Sequence, residues 1–110
     1  MKRATATIFV LLVLTTLALG SQVYGTLKEG AAPIGAGVRV EVSCGANTYF
    51  AYTDAYGSYK INVPLKGKCT FRVHYNGQIV LYDIYSYDDP VRYDFEVIKQ
   101  SNGTYQLKRK

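Results

Sequence analysis

The sequence predicts an all-β protein: a seven- or eight-stranded antiparallel Greek-key β-sandwich, preceded by a cleavable signal peptide. Two observations predict the sandwich. From residue 21 onward, apolar and polar residues alternate in short runs, the period-two mark of strands with one buried and one wet face. Clusters of Gly, Asn, Asp and Pro punctuate those runs, as turns between antiparallel strands require. A third observation predicts the leader. Lys2 and Arg3 precede a mostly apolar stretch from Ile8 to Leu19, and Ala18-Leu19-Gly20 offers small residues at a peptidase site. As a helix that stretch rises only about 18 Å, short of the roughly 30 Å hydrocarbon core, so no membrane span is expected after cleavage. The domain division is therefore a signal peptide at 1–20 and one sandwich at 21–110.

The elements follow in order. The first strand, 22–28, carries Val23, Gly25 and Leu27 on one phase, with Gly25 suited to a bulge or a close backbone approach. Val38, Val40, Val42 and Cys44 alternate with Arg39, Glu41 and Ser43 and predict a strand over 38–44. In the next strand, 48–53, Tyr49 and Tyr52 fall on opposite phases, so one must face outward. Asp54-Ala55-Tyr56-Gly57 is a structural turn: Asp54 accepts local backbone hydrogen bonds and Gly57 takes positive φ. Strands at 58–63 and 69–75 follow from Tyr59, Ile61 and Val63 and from Cys69, Phe71, Val73 and Tyr75. Asn76-Gly77 and Asn102-Gly103 are two-residue hairpin signals. The run 78–85 has apolar residues on both phases, Ile79, Leu81 and Tyr85 against Val80, Tyr82 and Ile84. It is either buried on both faces or carries an outward contact surface. Strands over 91–99 and 104–108 complete the set.

Composition excludes several classes. With 48% hydrophobic residues the chain is no disordered polyelectrolyte, and one His and two Cys are too few for a conventional structural zinc site. Removing Lys2 and Arg3 leaves 11 basic against 8 acidic residues, a net +3. Three of those positives are Lys108-Arg109-Lys110, read as a solvated tail, so the basic balance marks no nucleic-acid partner. His74, on the polar phase beside Arg72, reads as a solvent-facing histidine. Asp83, Asp88 and Asp89 read as loop acids, and no nucleophile motif frames any Ser. No catalytic residue, metal ligand or cofactor is expected. Asn102-Gly103-Thr104 also fits a glycosylation sequon. Cys44 ends one strand and Cys69 begins another, both on the inward phase; antiparallel neighbours bring them within disulfide reach.

Several of these residues together resemble a family. Val23-x-Gly25-x-Leu27, then Pro33-Ile34-Gly35-Ala36, then Thr53-Asp54-x-x-Gly57-x-Tyr59-x-Ile61-x-Val63-Pro64 are similar to the carboxypeptidase regulatory-like domain, a transthyretin-like (prealbumin-like) β-sandwich. The likeness covers residues 22–75, and it implies an accessory module without catalytic residues of its own. The Cys pair is additional to that pattern. Transthyretin-like hydrolases need His and Arg clusters, whereas this chain has only His74. Collagen-adhesin B-type repeats need an isopeptide-forming motif that Lys28 and Asn102 do not supply.

All 11 tyrosines lie beyond residue 20. Tyr59, Tyr75, Tyr93 and Tyr105 have core phases, while Tyr82, Tyr85 and Tyr87 form the candidate binding surface, since Tyr joins rigid apolar area to a polar tip. The reading that follows is a secreted or periplasmic, non-catalytic accessory module. It binds a protein partner or serves a structural role in the cell envelope or extracellular space. The alternative is a carbohydrate-binding module using surface tyrosines. When the chain is expressed in a secreting host, N-terminal sequencing of the exported protein should begin at Ser21; an intact Met1 terminus contradicts the leader.

Overall fold

The computed structural model describes residues 21–110; the signal peptide expected at 1–20, with cleavage expected after Gly20, lies outside the described residues. Ten strands are formed: β1 (Gln22–Glu29), β2 (Ala32–Pro33), β3 (Arg39–Cys44), β4 (Asn47–Tyr52), β5 (Ser58–Asn62), β6 (Gly67–Tyr75), β7 (Gln78–Ser86), β8 (Val91–Arg92), β9 (Phe95–Lys99) and β10 (Tyr105–Arg109). They build two sheets. One is antiparallel, in the order β4-β3-β6-β7; the other runs β10-β9-β1-β2, with β5 and β8 also on β1. The chain leaves the first sheet after β4 for β5 and returns for β6, which pairs with β3. The all-β sandwich expected from the alternation is the fold.

Turn chemistry fixes the first sheet. Asn76 and Gly77 both have positive φ (49° and 76°), the type I′ arrangement that joins β6 to β7 with Tyr75 opposite Gln78. Gly45, at φ 62°, occupies the first position of the two-residue turn that places Cys44 opposite Asn47. Between these hairpins Ser43 pairs with Thr70, which sets Cys44 against Cys69. The two are disulfide-bonded, with Cα atoms 4.5 Å apart, the separation of a non-hydrogen-bonded cross-strand pair. Closing a loop of 25 residues stabilises the fold by roughly 3–4 kcal/mol in the chain-entropy model.

The second sheet departs from the antiparallel expectation. β1 pairs with β8 and β9 in parallel, which is permitted because the chain reaches them by long crossings rather than by a hairpin. The strand expected over 91–99 is split at Tyr93 and Asp94. Both keep the register, and Tyr93 N still donates to Tyr24 O of β1 at 2.8 Å, but other groups at the break take side-chain partners. The Asp94 carboxylate accepts from Thr26 N at 2.9 Å, and the buried Tyr59 hydroxyl donates to Tyr93 O at 2.6 Å. Burial pushes the Tyr59 phenol well above its ordinary pKa. The crowding falls on Gly25, where a Cβ would lie 1.9 Å from Tyr93 O.

The core sits between the sheets. Phe71 stacks on Phe95 with ring centres 5.0 Å apart, and Tyr82 meets Phe95 edge-on at 4.8 Å. Val23, Leu27, Val40 and Val42 are fully buried around them, each stabilising the fold by roughly 1.5–3 kcal/mol. Tyr75 and Tyr105 are half-buried and pack edge-on at 5.2 Å; the Tyr75 hydroxyl donates to Glu29, which pushes its pKa up to about 12.

Two local expectations are corrected. The Asn102-Gly103 hairpin is not a two-residue turn: Gln100 N donates to Thr104 O and Gly103 N to Gln100 O. Those bonds make a three-residue loop with Gly103 at φ 90°. Nor is the basic end a free tail. Lys108 and Arg109 belong to β10, the Arg109 guanidinium lies 4.2 Å over the Tyr93 ring, and Lys110 Nζ is 3.6 Å from Glu96. Arg gains from the aromatic face what it forgoes in hydration. Gly25→Ala should lower unfolding free energy by roughly 3 kcal/mol or more in urea titration; a loss below about 1 kcal/mol contradicts the close approach.

Candidate functional site

Register assembles the outer face of the four-stranded sheet row by row. Tyr52, Arg39, His74 and Ile79 lie side by side across β4, β3, β6 and β7; the next row is Phe50, Glu41, Arg72 and Leu81. Thr48, Ser43, Thr70 and Asp83 form the third. Both outer strands therefore present large apolar side chains while the two central strands present charges. Phe50 (52%), Tyr52 (55%), Ile79 (58%), Leu81 (58%) and Tyr85 (50%) are all about half exposed.

The charged centre is organised around Glu41, whose side chain is only 12% exposed. Arg39 Nε donates to it at 2.7 Å, Arg72 Nη1 stands 3.9 Å away, and His74 Nε2 is 3.1 Å from Oε1. His74 is thus half-buried and turned toward Glu41, not free in solvent as its phase implied. Its Nε2 meets no partner in hydrogen-bonding geometry, so the approach to Glu41 is a close polar contact. The Arg39 hydrogen bond, reinforced by His74, holds the Glu41 carboxyl below the usual carboxylate range. Arg39 also lies 4.0 Å over the Phe50 ring and donates to the Tyr52 hydroxyl. One guanidinium therefore ties the charged centre to the aromatic edge.

The expected tyrosine surface is only partly assembled. Tyr82 points inward onto Phe95 and is half-buried, because it shares its phase on β7 with the buried Val80 and Ile84, while Ile79, Leu81 and Tyr85 turn outward. Tyr85 and Tyr87 remain exposed, with ring centres 6.5 Å apart and planes inclined by 28°. Asp54 and Gly57 build the expected turn: Asp54 Oδ1 accepts from Tyr56 N and Ser58 N, both at 2.9 Å. Gly57, at φ 74°, sits where a Cβ would lie 2.4 Å from Leu27 O. Phe50 was legible only by carrying the phase of β3 through the Gly45-Ala46 turn.

β7 lies at the margin of its sheet. Because Tyr75 and Gln78 close the type I′ turn as a hydrogen-bonded pair, Ile79, Leu81, Asp83 and Tyr85 direct their backbone groups away from β6. Tyr85 is capped: its N–H donates to the Tyr93 hydroxyl at 3.0 Å, which donates back to its carbonyl at 3.2 Å. No strand pairs with the other three among the described residues.

Among the described residues no three His, Cys, Asp or Glu side chains are grouped to hold a metal ion. Lys68 pairs with Asp83 at 3.6 Å and Lys66 with Asp88 at 3.2 Å, while the Ser43 hydroxyl is engaged by Arg72 and Thr48 rather than by His74. No family model matches the chain, and no curated protein matches it either.

A depressed carboxylate pKa contributes stability that is complete above the ordinary value of about 4.3 and is lost as pH falls through the folded value. Urea midpoints should therefore fall more steeply between about pH 5 and pH 3 in the native protein than in Glu41→Gln, the two curves converging at low pH. Parallel curves contradict this role for Glu41.

Proposed function

We propose that this chain is an exported, non-enzymatic β-sandwich module that binds a protein partner, or joins a structural assembly of the envelope or extracellular space. Contact is made through the outer face of the four-stranded sheet. The observation that carries the reading is the row of half-exposed Phe50, Tyr52, Ile79, Leu81 and Tyr85 on both margins of a charged centre. Aromatic residues and Arg are enriched in interfaces, and an apolar rim of this kind leaves water on side chains that a partner releases. Beside it, the unpaired groups of β7 suit addition of an extended partner segment, with the alternate side chains reading Ile79 and Leu81.

Export rests on two supports. A disulfide is consistent with an oxidising, extracellular compartment, and the leader expected at residues 1–20 supplies the route. The likeness to carboxypeptidase regulatory-like domains supports an accessory role, since Thr53, Asp54 and Gly57 serve the turn that the motif specifies. The carbohydrate alternative loses support at its expected place, because Tyr82 is half-buried against Phe95 and leaves only Tyr85 and Tyr87 exposed there.

A photo-crosslinking phenylalanine analogue at position 50 or 81 should capture one protein of constant mass in material from the native compartment, and the same analogue at position 106 should not. Leu81→Asp should abolish the adduct formed from position 50. Adducts only from position 106, or none from 50 and 81, overturn the reading.

A further inference from the structure

The outer face of the other sheet carries a cleft that takes no part in that reading. Its volume is ≈ 460 Å³, and β1, β5, β8 and the turn between β4 and β5 supply its walls. Register builds it. Tyr24 of β1 lies between Lys60 of β5 and Arg92 of β8, and Thr26 lies beside Ser58. These residues share the outward phase, while Tyr52 and Asp54 close the β5 side.

The polar atoms around Tyr24 are incompletely used. Arg92 contacts Asp94 through Nε alone, at 3.1 and 2.9 Å, which leaves its terminal nitrogens free to donate. Lys60 takes no part in the ion pairs of the described residues, and Asp54 spends Oδ1 on two backbone amides while Oδ2 remains an acceptor. The Arg92 guanidinium stands 5.9 Å from the Tyr24 ring centre. That is near enough to hold the ring but too far to fill the 3.5–4.0 Å contact distance of a stacked group.

Charge decides the ligand class. Lys60 and Arg92 are balanced by Asp54 and Asp94, so the cleft has no net attraction for an ion. Donors and acceptors of both kinds flank an aromatic ring, which suits a neutral ligand with many hydroxyls and a C–H face. We infer that this cleft binds a pyranose sugar unit, its C–H face on Tyr24 and its hydroxyls on Lys60, Arg92, Ser58 and Asp54. The inference is independent of the protein-binding face, from which only Tyr52 is shared.

An open cleft with one central ring gives dissociation constants of about a millimolar, which suits amide-resolved NMR titration. The probes are glucose, galactose, mannose and N-acetylglucosamine with their linear oligomers, and glucuronate and an acidic peptide for comparison. At least one neutral sugar should give saturable shifts centred on Tyr24, Ser58 and Lys60. Lys60→Ala and Tyr24→Ala should each weaken it by about tenfold, and Leu81→Ser should leave it unchanged. Lys60 is exposed, so its variant decides the matter if Tyr24→Ala fails to fold. The inference is overturned by the absence of saturable shifts up to about 100 mM of every neutral sugar. Binding confined to glucuronate or the peptide, or shifts centred on Tyr85 and Tyr87, also overturns it.

Discussion

The pairing of β3 with β6, pinned by the Cys44–Cys69 bond, is the constraint on which the rest of the molecule depends. Strand side chains have period two, so a slip of one residue would exchange the buried and exposed sets of both strands. Cys44 and Cys69 occur at a non-hydrogen-bonded pair with Cα atoms 4.5 Å apart, and this holds only in the observed register. Tight turns at Gly45-Ala46 and Asn76-Gly77 carry that register outward to β4 and β7. Phe50 and Tyr52 thereby come to one margin of the outer face, Ile79 and Leu81 to the other, and Glu41 to a centre ringed by Arg39, Arg72 and His74.

A second joint organises the other sheet. The Tyr93 carbonyl occupies the space of a Gly25 side chain and receives the Tyr59 hydroxyl. The interrupted strand keeps one offset against β1 on both sides of the break, Val23 with Val91 and Leu27 with Phe95. Arg92 therefore stands beside Tyr24, and the cleft exists because of it. The Tyr93 side chain works in both directions: its ring supports Arg109 and its hydroxyl caps the β7 edge at Tyr85. A backbone accommodation in one sheet thus shortens the free edge of the other, which natural sheets must limit to avoid unwanted pairing.

What the residues disclosed in advance was local or bilateral. The Asp54–Gly57 turn, the Asn76-Gly77 hairpin and the cysteine pair each carry their reason in adjacent residues or in phase alone. β7 was ambiguous because both its phases are apolar, and only the packing of Tyr82 on Phe95 separates inside from outside. The break at Tyr93 depends on Gly25, far away in sequence, and no periodicity reports such an approach. The basic end read as a tail because charge suggests solvent; it is exposed yet anchored on the Tyr93 ring, a partner visible only in three dimensions. The candidate face followed the same division: Tyr85 was legible, Tyr82 was misplaced with its strand's ambiguity, and Phe50 needed the register of a neighbour.

Residue-resolved amide hydrogen exchange along β7 tests this register and its free edge most directly. Alternation is expected: slow exchange at Val80, Tyr82 and Ile84, which face β6, fast exchange at Ile79, Leu81 and Asp83, and protection restored at Tyr85 by the Tyr93 hydroxyl. Uniform protection across the strand in the isolated protein, or the reversed alternation, contradicts it.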